Sequence, residues 1–107
     1  NEIIDSGLPS SDRDRHYFID AHFYAGVCYY EMKKYKESIN LLAEIIKNWS
    51  DSEKYKSAVF YAAQIFEAAG QKDKAITYYN RVLNIQPTDS LNGAALNKIK
   101  ALQKGGK

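Results

Sequence analysis

Ala21-His22-Phe23-Tyr24-Ala25-Gly26 and, 37 positions later, Ala58-Val59-Phe60-Tyr61-Ala62-Ala63 are one six-residue pattern written twice. The same offset lays Tyr29 on Phe66, Ser38 on Ala75, Ile39 on Ile76, Leu42 on Tyr79, Ile45 on Val82 and Ile46 on Leu83. Apolar residues meet apolar ones and small residues meet small ones. One helix can show such agreement by chance; two helices in a single register rarely do. The chain is therefore read first as a repeat.

Each unit reads as a pair of helices. His22, Ala25, Gly26 and Tyr29 follow the i, i+3, i+4, i+7 rhythm of one buried face. A partner helix from Tyr35 to Lys47 would bury Ser38, Ile39, Leu42, Ile45 and Ile46. In the second unit the corresponding positions are Val59, Ala62, Ala63 and Phe66, then Ala75, Ile76, Tyr79, Val82 and Leu83. Gly70 suits a left-handed helix end, and Pro87 follows the last turn of the unit. Ala25, Gly26 and Ser38, like Ala62, Ala63 and Ala75, lack bulk where backbones must approach. Ala63→Leu is expected to overpack that contact at a cost of ~1–3 kcal/mol.

These strings, with Tyr30, Tyr35 and Lys74 beside them, resemble tetratricopeptide repeats. The resemblance covers roughly residues 16–103. It implies an all-α fold: an α-solenoid of two helix hairpins plus a C-terminal capping helix, about five helices in all. The implied division is an N-terminal segment over 1–11, repeat 1 over 12–49, repeat 2 over 50–87 and a capping helix over 88–104. Repeat 1 departs from the family pattern at His22, at Lys33 where Gly is common, and at Ser50 where Pro is. The spacing also exceeds the usual 34 residues. The additional residues fall around Asn48-Trp49-Ser50-Asp51-Ser52-Glu53, where Ser50 or Ser52 is expected to cap a next helix lengthened by a turn. That junction is similar to repeats of bacterial cell-envelope proteins, which favours the periplasm over the cytoplasm as an expected location.

At the start, Glu2-Ile3-Ile4 repeats Glu44-Ile45-Ile46, and Leu8-Pro9-Ser10-Ser11 resembles Trp49-Ser50-Asp51-Ser52. The expectation is that the chain opens in the last turn of a preceding repeat, as a piece of a longer array. At the other end, Thr88 or Asp89 is expected to cap a helix burying Leu91, Ala95, Leu96, Ile99 and Leu102. Its wet face would carry Asn92, Lys98, Lys100 and Gln103, and Gly105-Gly106 would fray. The acid-rich beginning and the lysine-rich tail leave head-to-tail association of copies open.

The resemblance places ligand contacts on a concave face lined by the first helices. Transferred to this chain, those positions are Asp20, Phe23, Val27, Tyr30 and Glu31 in repeat 1. Repeat 2 supplies Ser57, Phe60, Gln64 and Glu67, and the last helix supplies Leu91, Ala94 and Lys98. The implied partner is a protein or peptide, and no cofactor is implied. The subset that clamps a C-terminal carboxylate is disfavoured, because Phe23, Val27 and Phe60 stand where it needs Lys, Asn and Arg. Phe23 and Phe60 have a second reading, as packing between the units. Association of copies through the same surface is the alternative to a foreign partner.

Composition narrows the rest. The 107 residues carry a net charge of +2, too little to argue for nucleic acid. Nine tyrosines and four phenylalanines could stack bases, but Asp20, Glu31 and Glu67 make the expected groove acidic. No apolar run is long enough to span a bilayer, so direct membrane insertion is not expected. Cys28 is the one cysteine, which excludes an intrachain disulfide, and it is expected to sit buried as a small apolar residue. Asp12, Asp14 and His16 scatter around the helix rather than converge on a metal, and His16 with Asp20 is a surface i, i+4 pair. Neither a phosphate loop nor a nucleophile with a base at defined spacing is present, so the chain is not expected to be an enzyme.

Overall fold

The computed structural model describes residues 12–85 and 88–105. The expected preceding repeat at residues 1–11, and Pro87, lie outside the described residues. Within them the chain is five helices: α1 (Asp12–Glu31), α2 (Tyr35–Asn48), α3 (Tyr55–Ala68), α4 (Lys72–Leu83) and α5 (Ser90–Gly105). Each helix packs on the next, and α3 also touches α1 and α5, the arrangement of stacked hairpins with the first helices side by side. The molecule is elongated, 53 × 29 × 18 Å. Among the described residues no helix is long and apolar enough to cross a membrane.

Turn chemistry closes both hairpins in the same way. At the end of α3, Gly70 has φ +82°; its N–H donates to the Glu67 carbonyl and the Gln71 N–H to the Phe66 carbonyl. This pair of bonds is the left-handed helix stop that glycine favours. In the 37-residue register Gly70 falls on Lys33, which makes the same turn at φ +64°, with Lys33 N–H to Tyr30 O and Lys34 N–H to Tyr29 O. The first repeat thus holds a lysine in a conformation that crowds its Cβ.

The first hairpin closes on its small residues. A Cβ added to Gly26 would lie 2.9 Å from Leu42 Cδ2, and the Ser38 hydroxyl donates to the Gly26 carbonyl at 2.6 Å. Two buried clusters result. One joins Ile19, Phe23, Leu42, Ile45 and Trp49 to Ala58 and Ile65 of the next hairpin. The other gathers Val59, Phe60, Ala63, Ala75, Tyr79 and Val82 with Ala95 and Ile99 of α5. The face of α1 turned inward is led by Ile19, Phe23 and Gly26, whereas His22, Ala25 and Tyr29 are only half-buried. His22 instead stacks beside Phe18 and Trp49, with ring centroids 4.6 and 5.7 Å away.

Three expectations are corrected. Cys28 is exposed, because the face of α1 on which it stands has no described helix against it. The residues between the repeats do not lengthen α3. They fold as successive turns, with Ser52 N–H bonding Trp49 O, Tyr55 N–H bonding Ser52 O, and the Ser52 hydroxyl accepting from Lys54 N–H. Ser52 therefore spends its side chain on the turn, and the longer helix is α1, with 20 residues against 14 for α3. On α5, Leu96 is 43% exposed rather than buried, since α4 and α3 cover only the side bearing Ala95 and Ile99. Asp89 does cap this helix: its carboxylate accepts from Leu91 N–H while Asn92 Oδ1 accepts from Asp89 N–H, a reciprocal box.

Candidate functional site

Side by side, α1, α3 and α5 carry every residue singled out for ligand contact. Phe23 and Phe60 are buried, at 8% and 9% exposure. Their rings meet through Tyr61, whose centroid lies 5.8 Å from Phe23 and 6.3 Å from Phe60. Phe60 also sets its edge against Tyr79 at 5.5 Å. Tyr30 is half-buried on the other side of Tyr61, at 5.8 Å. Val27 and Ser57 are half-buried, and Glu31 is exposed. Leu91 and Ala94 are half-buried against the second cluster.

The polar candidates form bridges between neighbouring first helices. Asp20 of α1 lies 3.7 Å from Lys54 Nζ, at the mouth of α3. Gln64 of α3 donates to the Tyr30 hydroxyl at 3.2 Å. Glu67 of α3 lies 3.8 Å from Lys98 Nζ of α5, and the same carboxylate oxygen accepts the Tyr79 hydroxyl at 2.8 Å. Burial, and then the bond to Glu67, push the Tyr79 phenol well above its ordinary range. Tyr79 therefore stays a neutral donor and holds Glu67 in place on the face.

Two contributors escaped the sequence reading. Lys54 stands before α3 begins, yet its ammonium lies 5.7 Å from the Phe23 ring and 5.5 Å from that of Tyr24, where a cation is attracted to the aromatic face. Tyr61 was matched to Tyr24 only as a repeat position, and it is the hub of the aromatic set. Its signal lay in its place between Phe60 and Gln64 on a helix buried nearly all round. The face has the elements of a recognition surface: aromatic area, a half-buried Val, and paired charges whose oxygens and ammonium groups remain partly wet. Among the described residues no group of three or more His, Cys, Asp or Glu could hold a metal ion.

Comparison with known proteins agrees with this architecture. Residues 18–88 match the family model described as tetratricopeptide repeat. The chain is also similar to the inactive peptidyl-prolyl cis-trans isomerase shutdown of Bombyx mori, 31% identical over 86 residues. That match covers 80% of this chain and 20% of the silkworm protein, so the chain spans about a fifth of its relative's length.

Proposed function

The chain belongs to the tetratricopeptide-repeat family, whose members generally mediate protein–protein interaction, and from that premise we propose that it is a non-enzymatic module gripping a protein or peptide on the face of α1, α3 and α5. The observation that carries the reading is the row of side chains from Asp20 to Lys98, which combines an aromatic strip around Tyr61 with three partly wet polar pairs. An extended peptide or a partner helix would set apolar anchors beside Val27 and Tyr30, and would trade hydrogen bonds with the Gln64 and Glu67 groups. Such a module serves a scaffold or assembly factor. A cell-envelope setting keeps only the aromatic and Asp-Ser residues of the Asn48–Glu53 sequence in its favour, since α3 is not lengthened, while the silkworm relative supports a place within a larger protein that has no isomerase activity of its own.

A second reading has its own observation. Because Tyr30 bonds Gln64 and Glu67 pairs with Lys98, the polar groups also sew the first helices together, as a spacer or self-associating segment would need. Selection of displayed random peptides against the chain discriminates the two. On the binding reading, selected peptides compete with one another and lose about tenfold or more in affinity to Tyr30→Ala and to Glu31→Lys, with helix content unchanged. Peptides indifferent to both substitutions would place recognition elsewhere.

A further inference from the structure

The second hairpin carries an unbroken chain of rings and cations on the side away from the first-helix face. Tyr55 and Phe66, eleven residues apart, share the side of α3 turned away from Gln64. The Lys74 ammonium stands 5.4 Å from the Phe66 ring, and Phe66 meets Tyr78 at 5.0 Å. The Arg81 guanidinium lies 5.0 Å from the Tyr78 ring and donates to the Tyr55 hydroxyl at 3.1 Å. Lys74, Tyr78 and Arg81 step by four and three along α4, so one side of it holds two cations with a ring between them. The cations are two turns apart, about 10 Å along the axis. Lys74 is exposed, Tyr78 and Arg81 are half-buried, and α2 does not touch α4 to cover them.

These two charges have no carboxylate of their own. Arg15, Lys54, Lys56 and Lys98 each meet an acid elsewhere in the stack, whereas among the described residues no ion pair forms with Lys74 or Arg81. Residues 33–48 and 70–84, the second helices with their lead-in turns, hold seven lysines and arginines against three acids, although the whole chain nets only +2. The repeat itself does not demand cations here. In the 37-residue register Lys74, Tyr78 and Arg81 fall on Glu37, Leu41 and Glu44, so the charge is reversed between two hairpins of the same fold.

An arginine stacked on a ring keeps its N–H edge available to grip a carboxylate in a fork, and the bond to Tyr55 holds that fork in one rotation. Lys74 adds a second positive charge as a point. Rings whose faces already meet cations are poor platforms for bases, which disfavours single-stranded nucleic acid. Carboxylates seven residues apart on a helix match the spacing of the two cations. We propose that the Lys74–Tyr78–Arg81 side of α4 docks an acidic helix of a partner protein, with two such carboxylates on the cations and an apolar residue between them on Tyr78 and Phe66. The surface is separate from the face of α1, α3 and α5, so the two can be occupied together.

The probe is a fluorescein-labelled alanine-rich helix with two glutamates seven residues apart and a leucine four residues after the first. It is titrated into the full chain and followed by anisotropy. The expected result is saturable binding that weakens about tenfold when glutamines replace the peptide's glutamates, and likewise in Lys74→Glu and in Arg81→Gln. Lys74 is exposed, so Lys74→Glu should keep the wild-type circular dichroism even if Arg81→Gln disturbs the hairpin. One of the two peptides with a single glutamate changed to lysine should recover binding to Lys74→Glu, a rescue that a merely structural lysine would not show. Tyr30→Ala should leave this binding unchanged, so the present proposal and the first-helix reading fail separately. No saturable binding, or binding indifferent to Lys74→Glu and Arg81→Gln, would overturn the proposal. Tighter binding of oligouridylate that is lost in the same variants would overturn it in favour of nucleic acid. The same result with phosphatidylserine vesicles would overturn it in favour of an anionic membrane.

Discussion

The Ser38 hydroxyl donates a 2.6 Å hydrogen bond to the Gly26 carbonyl, in the buried crossing between α1 and α2. The bond exists because Gly26 has no side chain: a Cβ there would stand 2.9 Å from Cδ2 and 3.0 Å from Cγ of the fully buried Leu42. Gly93 on α5 is the opposite case, with nothing within 4 Å of an added Cβ. Alanine gains about 1 kcal/mol over glycine in a helix interior from chain entropy alone. Gly93→Ala should therefore stabilise by ~0.5–1 kcal/mol, whereas Gly26→Ala should lose about as much, because overpacking at ~1–3 kcal/mol outweighs the entropy gain. Urea denaturation of the two variants, side by side, checks the opposite signs.

The matched helix stops make a second pair. Lys33 and Gly70 hold the same left-handed turn, at φ +64° and +82°. Lys33→Gly should relieve strain and stabilise by ~1 kcal/mol, and Gly70→Ala should destabilise by ~1–2 kcal/mol with no steric contact to blame. Thermal melts of both variants test it; equal small effects would show that the turns are set by the rest of the hairpin.

Tyr79 links stability to alkaline pH. Its phenol is held above the ordinary value near 10, so the unfolded chain ionises first. The stability it contributes is complete below about pH 10 and is lost as pH rises from there toward the folded value. At pH 7, Tyr79→Phe should cost about 1 kcal/mol through the lost bond to Glu67. The gap between wild type and Tyr79→Phe should shrink above about pH 10, and a chemical-denaturation series from pH 8 to pH 11 measures it.

Asp89 acts in acid. The Lys56 ammonium, buried and 3.0 Å away, holds its carboxyl below the usual carboxylate range, aided by the Leu91 N–H. Arg15 does the same for Asp51. A depressed folded value means that the contribution is present above about pH 4, the unfolded value, and is lost as pH falls below it. Asparagine caps a helix as well as aspartate, so Asp89→Asn isolates the charge. Its melting temperature should fall below wild type at pH 6, and the two should converge as pH drops below 4.

Periodicity, small residues and turn residues are properties of contiguous sequence, and each could be read directly. The two hairpins, the Gly26–Ser38 crossing, the Gly70 stop and the Asp89 cap were all visible in this way, because helix and turn chemistry acts over a few residues. The junction misled because Ser52 had two local options, a cap or a turn, and the burial of Trp49 against Phe18 and His22 favours the turn.

Contacts between units could not be read along the chain. Lys56 reaches Asn92 across 36 residues, Gln64 reaches Tyr30 across 34, and Lys54 settles over rings of a helix that precedes it. Cys28 and Ile65 occupy the same repeat position, yet one is exposed and the other buried, because among the described residues only Ile65 has a hairpin stacked on it. Local sequence specified each helix and its apolar stripe; which stripe is covered, and by what, depends on neighbours that come together only in the folded stack.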